Sequence, residues 1–229
     1  MAVDPSLAQQ PLIRFLLESG ALKFGEFTLK SGRISPYFFN TAAFDSGARL
    51  ETLGRFYAQE ALKLAPRATV VFGPAYKGIP LCLSTAIAMQ HQTGRDTGWL
   101  FDRKEAKTHG DQGRFVGRIP GRGDRLVLVD DVITDGETKR QAVAMLRECF
   151  DAPIDGLVIA FNRMEQDSRG EDALEGFQQA TGVAVSALLT LAQLHQTLEQ
   201  GGVGLPGITG DPSVWAEKIQ EYRTRYGMR

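Results

Sequence analysis

The chain has 229 residues, 43% of them hydrophobic and 23% charged, which is typical of a globular protein that buries one substantial core. Lys and Arg together number 26 against 27 Asp and Glu, and the resulting net charge of −1 excludes a protein whose main role is to coat nucleic acid or an anionic membrane. The two cysteines, Cys82 and Cys149, favour a reducing compartment over a disulfide scaffold, so we expect a cytoplasmic protein.

The beginning of the chain, MAVDPSLAQQ, lacks the basic segment and the apolar run of a secretory signal. There is also no apolar stretch of about 18 residues, the length needed to span a bilayer. Gly and Pro are scattered as turn residues, and no repeat of fixed period is present. The sequence therefore predicts a single domain over residues 1–229 that is neither exported nor embedded in a membrane.

Hydrophobic spacing predicts alternating helices and strands along the chain. In chain order these are a helix over 7–17, strands over 25–28 and 36–40, a helix over 49–64, a strand over 68–72, a helix over 79–90, strands over 98–101 and 126–129, a helix over 137–150, strands over 154–161 and 183–191, and a helix from Ser213. Repeated units of this kind indicate an α/β fold with a central, mainly parallel sheet flanked by helices.

One connection is unlike the others. Residues 104–121 are polar, charged and rich in glycine, with no hydrophobic period. A connection of this length in a compact domain is uncommon and is usually functional. The sequence therefore predicts a mobile functional loop here.

Polar clusters follow three of the predicted strands. They are GPAYKG at 73–78, DRK at 102–104 and DDVITDG at 130–136. Ligand sites in parallel sheets lie beyond the carboxyl ends of the strands, so these clusters are the candidate site. The third offers two carboxylates as hydroxyl acceptors, followed by a Thr- and Gly-containing turn whose backbone N–H groups suit a phosphate. This combination suits a ribose phosphate.

Other interpretations of the third cluster are weaker or remain open. Asp130 and Asp131 could simply end the strand, with Thr134 capping the helix, because both residue types are common in turns and caps. The cluster is not a Walker A loop, which needs Gly-Lys-Ser/Thr. Gly121-Arg122-Gly123 is not a dinucleotide fingerprint, since it lacks the third glycine and precedes a strand.

Four segments carry a resemblance to a known family. LVLVDDVITDGET at 126–138 resembles the phosphoribosyl-diphosphate (PRPP) signature of type I phosphoribosyltransferases. LKSGRISPYFFN at 29–40, GPAYKGIP at 73–80 and FDRKEAKTHGDQG at 101–113 narrow the resemblance to orotate phosphoribosyltransferases. The resemblance spans most of the chain and thins after Arg163. It implies a type I phosphoribosyltransferase fold with a small N-terminal hood at about 20–45 and a mobile catalytic loop at about 104–121.

The resemblance also implies a reaction and its partners. The ribose 5-phosphate group of PRPP would pass to orotate, giving orotidine 5′-monophosphate and pyrophosphate in pyrimidine (UMP) biosynthesis. Mg²⁺ would be required and held mainly through PRPP, with no metal ligand from the protein. The enzyme would work as a homodimer with shared active sites, with no nucleic-acid or membrane partner.

The site residues implied by the resemblance fall into three groups. The catalytic group is Lys107, Asp130 and Asp131. The PRPP-binding group is Lys30, Tyr76, Lys77, Arg103, Lys104, Lys107, His109, Asp130, Asp131, Val132, Ile133, Thr134, Asp135, Gly136, Glu137 and Thr138. The orotate-binding group is Phe38, Phe39, Thr134 and Arg163.

Each group suits its chemistry. Cations offset the charge of the departing pyrophosphate, and carboxylates hold the ribose hydroxyls beside the developing oxocarbenium charge. A flat pyrimidine carboxylate needs an aromatic wall and a forked cation. Because neighbouring residues of a strand face opposite sides, we expect only one of Phe38 and Phe39 to stack on a substrate.

Two acids depart from the family pattern. Asp135 and Glu137 stand where many relatives carry a small residue and Thr, and extra negative charge beside a phosphate loop weakens anion binding unless both side chains point away. Two alternative functions remain. One is a type I phosphoribosyltransferase for another base, and the other is a PRPP-sensing regulator that binds nucleic acid, which the near-neutral charge and missing helix-turn-helix disfavour.

Overall fold

The computed structural model describes residues 5–29, 32–104, 113–166, 170, 172–201, 205–208 and 211–227. Contacts between residues divide the chain into two compact units. Unit 1 takes in the described parts of Met1–Asp45, Phe161–Asp172 and Leu189–Arg229. Unit 2 takes in the described parts of Ser46–Ala160 and Ala173–Leu188.

Helices and strands alternate through most of the chain, as the sequence predicts. In chain order they are α1 (Pro5–Glu18), β1 (Leu22–Thr28), β2 (Ile34–Phe39), α2 (Gly47–Leu64), β3 (Val70–Phe72), α3 (Gly78–Thr93), β4 (Gly98–Asp102), β5 (Phe115–Gly117), β6 (Leu126–Val132), α4 (Glu137–Cys149), β7 (Ile154–Asn162), α5 (Ala173–Thr181), β8 (Val185–Thr190), α6 (Leu191–Glu199) and α7 (Pro212–Tyr226). A short 3₁₀ helix covers Thr41–Ala43. None of the helices in the described ranges has the length and apolarity needed to cross a membrane.

The main sheet has the strand order β5-β4-β3-β6-β7-β8. β3 pairs in parallel with β4 on one side and with β6 on the other, so Val70 lies opposite both Gly98 and Leu126. β5 runs antiparallel to β4. This confirms the predicted α/β fold with a central, mainly parallel sheet.

The central strands are buried because their sequences are continuous apolar runs. Every residue of β3 is buried, and so are Leu126 to Val129 of β6, as expected of strands with both faces covered. Leu146 of α4 and Phe177 of α5 join the same core cluster. The core of unit 2 therefore fixes β3 and β6 side by side, which sets the positions of the turns that follow them.

Helices α2 and α3 pack closely at a glycine. A Cβ atom on Gly54 of α2 would lie only 2.6 Å from the backbone oxygen of Ser84 in α3. Only glycine permits this approach, since real Cβ atoms do not come so near a carbonyl oxygen. The crossing brings α2 under β6, where the buried Tyr57 hydroxyl donates to the backbone oxygen of Asp130 at 2.7 Å.

Unit 1 is built on the antiparallel pair β1 and β2. Helix α7 packs on β2, α6 packs on α7, and α1 packs on both α6 and β1. Tyr37 of β2 is fully buried at the centre of an aromatic group, with its ring edge-on to Phe161 at 5.6 Å and to Tyr222 at 5.9 Å. A capping box of Thr190 and Gln193 begins α6.

The structure corrects the sequence prediction at four places. The predicted loop at 104–121 contains strand β5, which is too short at three residues to give a hydrophobic period. β6 continues through the two acids to Val132, so they lie inside the strand and not after it. The last predicted strand ends at Thr190, where α6 begins, and neither α6 nor α5 was predicted.

Candidate active site

The acid pair at the end of β6 is buried and fully engaged. Asp130 is 6% exposed and Asp131 is 8% exposed. Asp130 accepts the backbone N–H of Asp131 on Oδ1 at 2.8 Å, while its Oδ2 lies 2.6 Å from Lys139 Nζ. Asp131 accepts the Val132 N–H on Oδ1 at 2.7 Å and the Lys77 ammonium on Oδ2 at 2.6 Å. Two lysines therefore balance the charge of two neighbouring carboxylates.

Lys77 comes from the turn after β3, which two glycines make possible. A Cβ on Gly73 would lie 2.1 Å from the oxygen of Gly78, so the turn closes only without side chains there. The Ala75 N–H donates to Asp102 Oδ1 at 2.7 Å, which ties the turn to the end of β4. The turn thus directs the Lys77 ammonium to the acid pair.

The segment from Val132 to Thr138 links β6 to α4. Gly136 stands at the N-cap of α4 with a φ of 73°, and it supplies no side chain to cap the helix. Thr134, Thr138 and the other side chains of this turn, apart from the partly buried Val132 and Ile133, are exposed. Thr134 is therefore not the helix cap, which removes the simplest structural explanation for it. A helix N-terminus whose N-cap residue supplies no side chain, beside exposed threonines, suits a phosphate group.

The two unusual acids of this turn are held by local partners. Asp135 accepts the backbone N–H of Glu137 on Oδ1 at 3.0 Å. The Glu137 carboxylate receives Arg140 at 3.1 Å and Gln141 at 2.9 Å, and Arg140 also donates to the Asp135 carbonyl at 2.9 Å. These hydrogen bonds lower the pKa of Glu137 below its ordinary value. Arg140 thus offsets charge that would otherwise oppose a phosphate.

Of the remaining predicted PRPP ligands, three are described by the structure and three are not. Tyr76 is 72% exposed on the turn after β3. Arg103 follows β4, and its Nε is buried with no hydrogen-bond partner in the part of the chain that the structure describes. Lys104 is exposed. Lys30, Lys107 and His109 lie outside the described residues.

The phenylalanine pair in unit 1 alternates as strand geometry requires. Phe38 is 39% exposed and lies 5.3 Å from the Phe27 ring. Phe39 stacks on Phe161, with ring centroids 5.3 Å apart. The two side chains thus have separate aromatic partners, and Phe38 is the more exposed ring.

Arg163 follows β7 and is held from two sides. Its Nε donates to the Tyr37 hydroxyl at 3.3 Å, and its Nη2 forms an ion pair with Glu165 Oε1 at 2.9 Å. Nη2 is buried, with Glu165 as its charged partner. A forked cation held in this way can accept a carboxylate from a ligand.

Glu165 organises the surroundings of Arg163. Its Oε1 accepts the hydroxyls of Tyr37 at 3.0 Å and Tyr222 at 2.9 Å, and Arg33 lies 3.6 Å from its Oε2. Burial and the nearby Glu165 carboxylate raise the pKa of Tyr222 to about 12, so both tyrosines stay protonated donors. Thr134, the fourth predicted orotate residue, belongs to unit 2.

Sequence reasoning missed Lys139, Tyr37 and Glu165. Lys139 could have been found, because it lies on the helical stripe with Ala142, Val143 and Leu146 that α4 buries. A lysine on an otherwise apolar stripe requires a buried partner. Glu165 gives no such signal, since its partners come from β2 and from α7, far away in the sequence.

The mainly parallel sheet, with an acid pair at the end of β6 followed by a turn into α4, is the arrangement expected of a type I phosphoribosyltransferase. No family model matches the chain. Curated relatives do match: a *Bifidobacterium animalis* orotate phosphoribosyltransferase is 46% identical over 223 residues, covering 93% of this chain and 95% of the relative. One from *Thioalkalivibrio sulfidiphilus* is 44% identical and covers 96% and 98%.

A solved structure agrees. The crystal structure of orotate phosphoribosyltransferase from *Francisella tularensis* matches with a TM-score of 0.80 and 34% identity, covering 95% of this chain and 100% of that one. The chain therefore belongs to the orotate phosphoribosyltransferase family, whose members are pentosyltransferases of pyrimidine biosynthesis. This confirms the resemblance on which the sequence analysis settled.

Proposed function

We propose that the protein transfers the 5-phosphoribosyl group of PRPP to orotate, giving orotidine 5′-monophosphate and pyrophosphate. The observation that carries the proposal within this chain is the buried acid pair of β6, followed by a short turn into the N-terminus of α4, where Gly136 is the N-cap residue. Carboxylates at that point suit the ribose hydroxyls, and backbone N–H groups there suit the 5′-phosphate. Both groups belong to one ribose phosphate.

The reaction needs little proton transfer and much positioning. The acid pair holds the ribose and places negative potential near C1′ as oxocarbenium charge develops. Five basic side chains offset the charge of the departing pyrophosphate. They are Lys77, Arg103, Lys104, Lys107 and His109. The exposed Lys77 ammonium can leave Asp131 for a phosphate oxygen, since 70% of the Lys77 side chain is open to solvent.

Phe38, Phe39, Thr134 and Arg163 are the residues that the family resemblance assigns to orotate. Arg163 pairs with the orotate carboxylate, as the family resemblance implies, while its Nη2 stays in the ion pair with Glu165. The ring of one of the two phenylalanines, Phe38 or Phe39, supplies the aromatic wall. A base without a carboxylate would leave Arg163 without its anion, which favours orotate over uracil.

The residues present fit a metal that arrives with the substrate. Among the described residues, no group of three His, Cys, Asp or Glu side chains is placed to bind a metal ion. The acid pair is already bonded to two lysines. We assign Mg²⁺ to PRPP, as the family resemblance implies, and there it would reduce the charge on the pyrophosphate.

We also propose a homodimer with shared active sites. Between α2 and α3 lies a groove of about 730 Å³, lined by Leu50, Leu83 and the half-exposed Ile87. The Glu51 and Arg55 ion pair at its edge would be self-complementary across a two-fold axis. Such a face suits a second copy of the chain.

Mixing two inactive variants tests the shared sites. If the Lys107 loop reaches the neighbouring site, a dimer of one Lys107→Ala subunit and one Asp131→Asn subunit has one intact site. Random exchange of subunits should then restore up to about a quarter of wild-type activity. If no activity returns although subunits exchange, the sites are not shared.

The organisation and location of the chain complete the proposal. One phosphoribosyltransferase domain over 1–229 carries hood elements at about 20–45 and, in the part of the predicted loop at about 104–121 that precedes β5, a mobile segment that excludes water as it closes. We expect PRPP to slow tryptic cleavage within that loop. The two free thiols among the described residues support a reducing, cytoplasmic compartment.

Replacement of Arg163 tests the choice of base. Arg163→Met keeps the unbranched stem of the side chain but removes the guanidinium group, so we expect a loss of kcat/KM for orotate of at least about a hundredfold. PRPP affinity, measured by calorimetry, should stay within about twofold. A variant that uses orotate as well as the wild-type protein does would remove Arg163 from the site.

A further inference from the structure

Lys139 makes a contact that the proposed reaction does not yet use. It lies in the first turn of α4 on the helix face that packs into the core, and its ammonium reaches Asp130 Oδ2 at 2.6 Å. The side chain of Lys139 is 10% exposed and that of Asp130 is 9% exposed. Removing either partner of a buried ion pair is costly, because the charge that remains is buried without a counter-charge.

The two ion pairs of the acid cluster are unequal. Lys77, the partner of Asp131, is 70% exposed and can exchange with solvent or a substrate. Lys139 has no such freedom, since its side chain is enclosed between α4 and β6. Asp130 is thus fixed on both oxygens, by Lys139 and by the N–H of Asp131, while its backbone carbonyl receives Tyr57.

We propose that Lys139 is a positioning residue of the PRPP site that keeps Asp130 charged and in one orientation beside Asp131. The inference rests on the proposed function and deepens it. Lys139 does not touch substrate; it acts through Asp130. The fixed carboxylate then serves as a permanent negative charge and template for the ribose, while Asp131 is the member of the pair whose lysine can move.

The charges around Asp130 predict the direction in which the pKa of its carboxyl group shifts when Lys139 is replaced. Burial raises the pKa of the Asp130 carboxyl above its ordinary value, Lys139 lowers it and Asp131 raises it. Within the part of the chain that the structure describes, the pair is also contacted by Tyr57 from α2, which is a neutral donor, and by Lys77, which faces Asp131. Without Lys139 the lowering influence is lost, so Asp130 takes up a proton at a higher pH.

The first test uses Lys139→Met, Lys139→Arg and, as a control, Lys63→Met on the exposed surface of α2. For Lys139→Met we expect kcat/KM for PRPP to fall at least about tenfold and the acidic limb of its pH profile to move to higher pH. Lys139→Arg should recover most of the rate and the original limb, and Lys63→Met should match the wild type. A Lys139→Met profile that overlays the wild-type profile overturns the inference.

A second test stays valid if Lys139→Met does not fold. In Asp130→Asn the carboxylate is gone, so adding Lys139→Met should change kcat/KM by less than about twofold if Lys139 acts only through Asp130. A further loss of about tenfold or more in the double variant means that Lys139 acts by another route and overturns the inference.

Infrared titration separates this inference from the proposed reaction, because it needs no turnover. The protonated-carboxyl band of Asp130, identified by its loss in Asp130→Asn, should appear at higher pH in Lys139→Met than in the wild type. An unshifted band overturns the role of Lys139. If instead the band shifts but wild-type protein does not use orotate, the electrostatic role stands and the proposed reaction fails.

Discussion

Arg163 shows how one side chain is prepared for a ligand. Tyr37 lies against one edge of the guanidinium, Glu165 pairs with Nη2, and the ring of Tyr37 lies 5.5 Å beneath the charge. Glu165 Oε1 also accepts the hydroxyls of Tyr37 and Tyr222, which hold the carboxylate in place. The arginine is thereby oriented by Tyr37 and Glu165.

Glu165→Gln tests this arrangement. The amide keeps the size of the side chain but removes the negative charge facing Arg163 and Arg33, so Arg163 loses its orientation. We expect KM for orotate to rise about tenfold while KM for PRPP stays within about twofold, as measured from initial rates. Glu18→Gln, at an exposed ion pair on α1, serves as the matched control and should behave as wild type. Equal changes in both KM values would point to a general structural role for Glu165 instead.

At the scale of elements, glycines set how closely the parts of unit 2 approach. Gly54 allows α2 to cross α3, and Gly73 allows the turn after β3 to close. The first of these positions Tyr57 below Asp130, and the second directs Lys77 to Asp131. The site depends on backbone approach as much as on its charged side chains.

Gly54→Ala tests the helix crossing. The new methyl group would meet the Ser84 carbonyl at 2.6 Å, so the helices must separate and the free energy of unfolding should fall by about 1–3 kcal/mol. Gly176→Ala on α5 is the matched control, because no atom lies within 4 Å of the added Cβ. We expect that control to gain about 0.5–1 kcal/mol from helix propensity alone. Urea unfolding measures both, and equal stabilities for the two variants would contradict the close crossing.

The sequence predicts the elements well where the hydrophobic period is long. Each predicted helix and strand overlaps an observed one, because α2 and α4 have amphipathic spacing and β3 and β6 are apolar runs. It fails at β5, which is too short to show a period, and at α6, whose capping residue Thr190 was assigned to a strand.

The residues of the candidate site also divide into those that the sequence predicts and those that it does not. The acids of β6 and the turn with Lys77 are local in sequence and were predicted as ligands. Their partners were not predicted: Tyr57 reaches Asp130 from the distant helix α2, whereas Lys139 lies on the next helix and could have been recognised as a lysine on a buried stripe. A sequence pattern identifies groups that meet substrate more readily than groups that orient those side chains.

The molecule as a whole is nearly neutral, although oppositely charged side chains are concentrated in pairs at the candidate site. The candidate site gathers lysines, an arginine and several carboxylates, yet the chain carries a net charge of only −1. Anionic substrates must therefore be attracted by local arrangement and not by an overall positive field. This agrees with a site in which exposed cations such as Lys77 exchange an internal carboxylate for a phosphate.

The two thiols report on the integrity of unit 2. Cys82 of α3 is fully buried, and burial raises its pKa to about 12, whereas Cys149 at the end of α4 is exposed. Because the thiolate is the reactive form, iodoacetamide at neutral pH should modify Cys149 alone in the native protein and both residues in urea, as read by mass spectrometry. Modification of Cys82 at the Cys149 rate would contradict the tight packing of α3.

The most direct measurement is the loss of orotate absorbance when the purified protein is given PRPP and Mg²⁺, beside parallel reactions with uracil, hypoxanthine and adenine. The account predicts that orotate alone is consumed, that orotidine 5′-monophosphate and pyrophosphate appear in equal amounts, and that omission of PRPP or chelation of Mg²⁺ stops the reaction. Consumption of another base in preference to orotate, or no turnover by protein that binds PRPP, would contradict it.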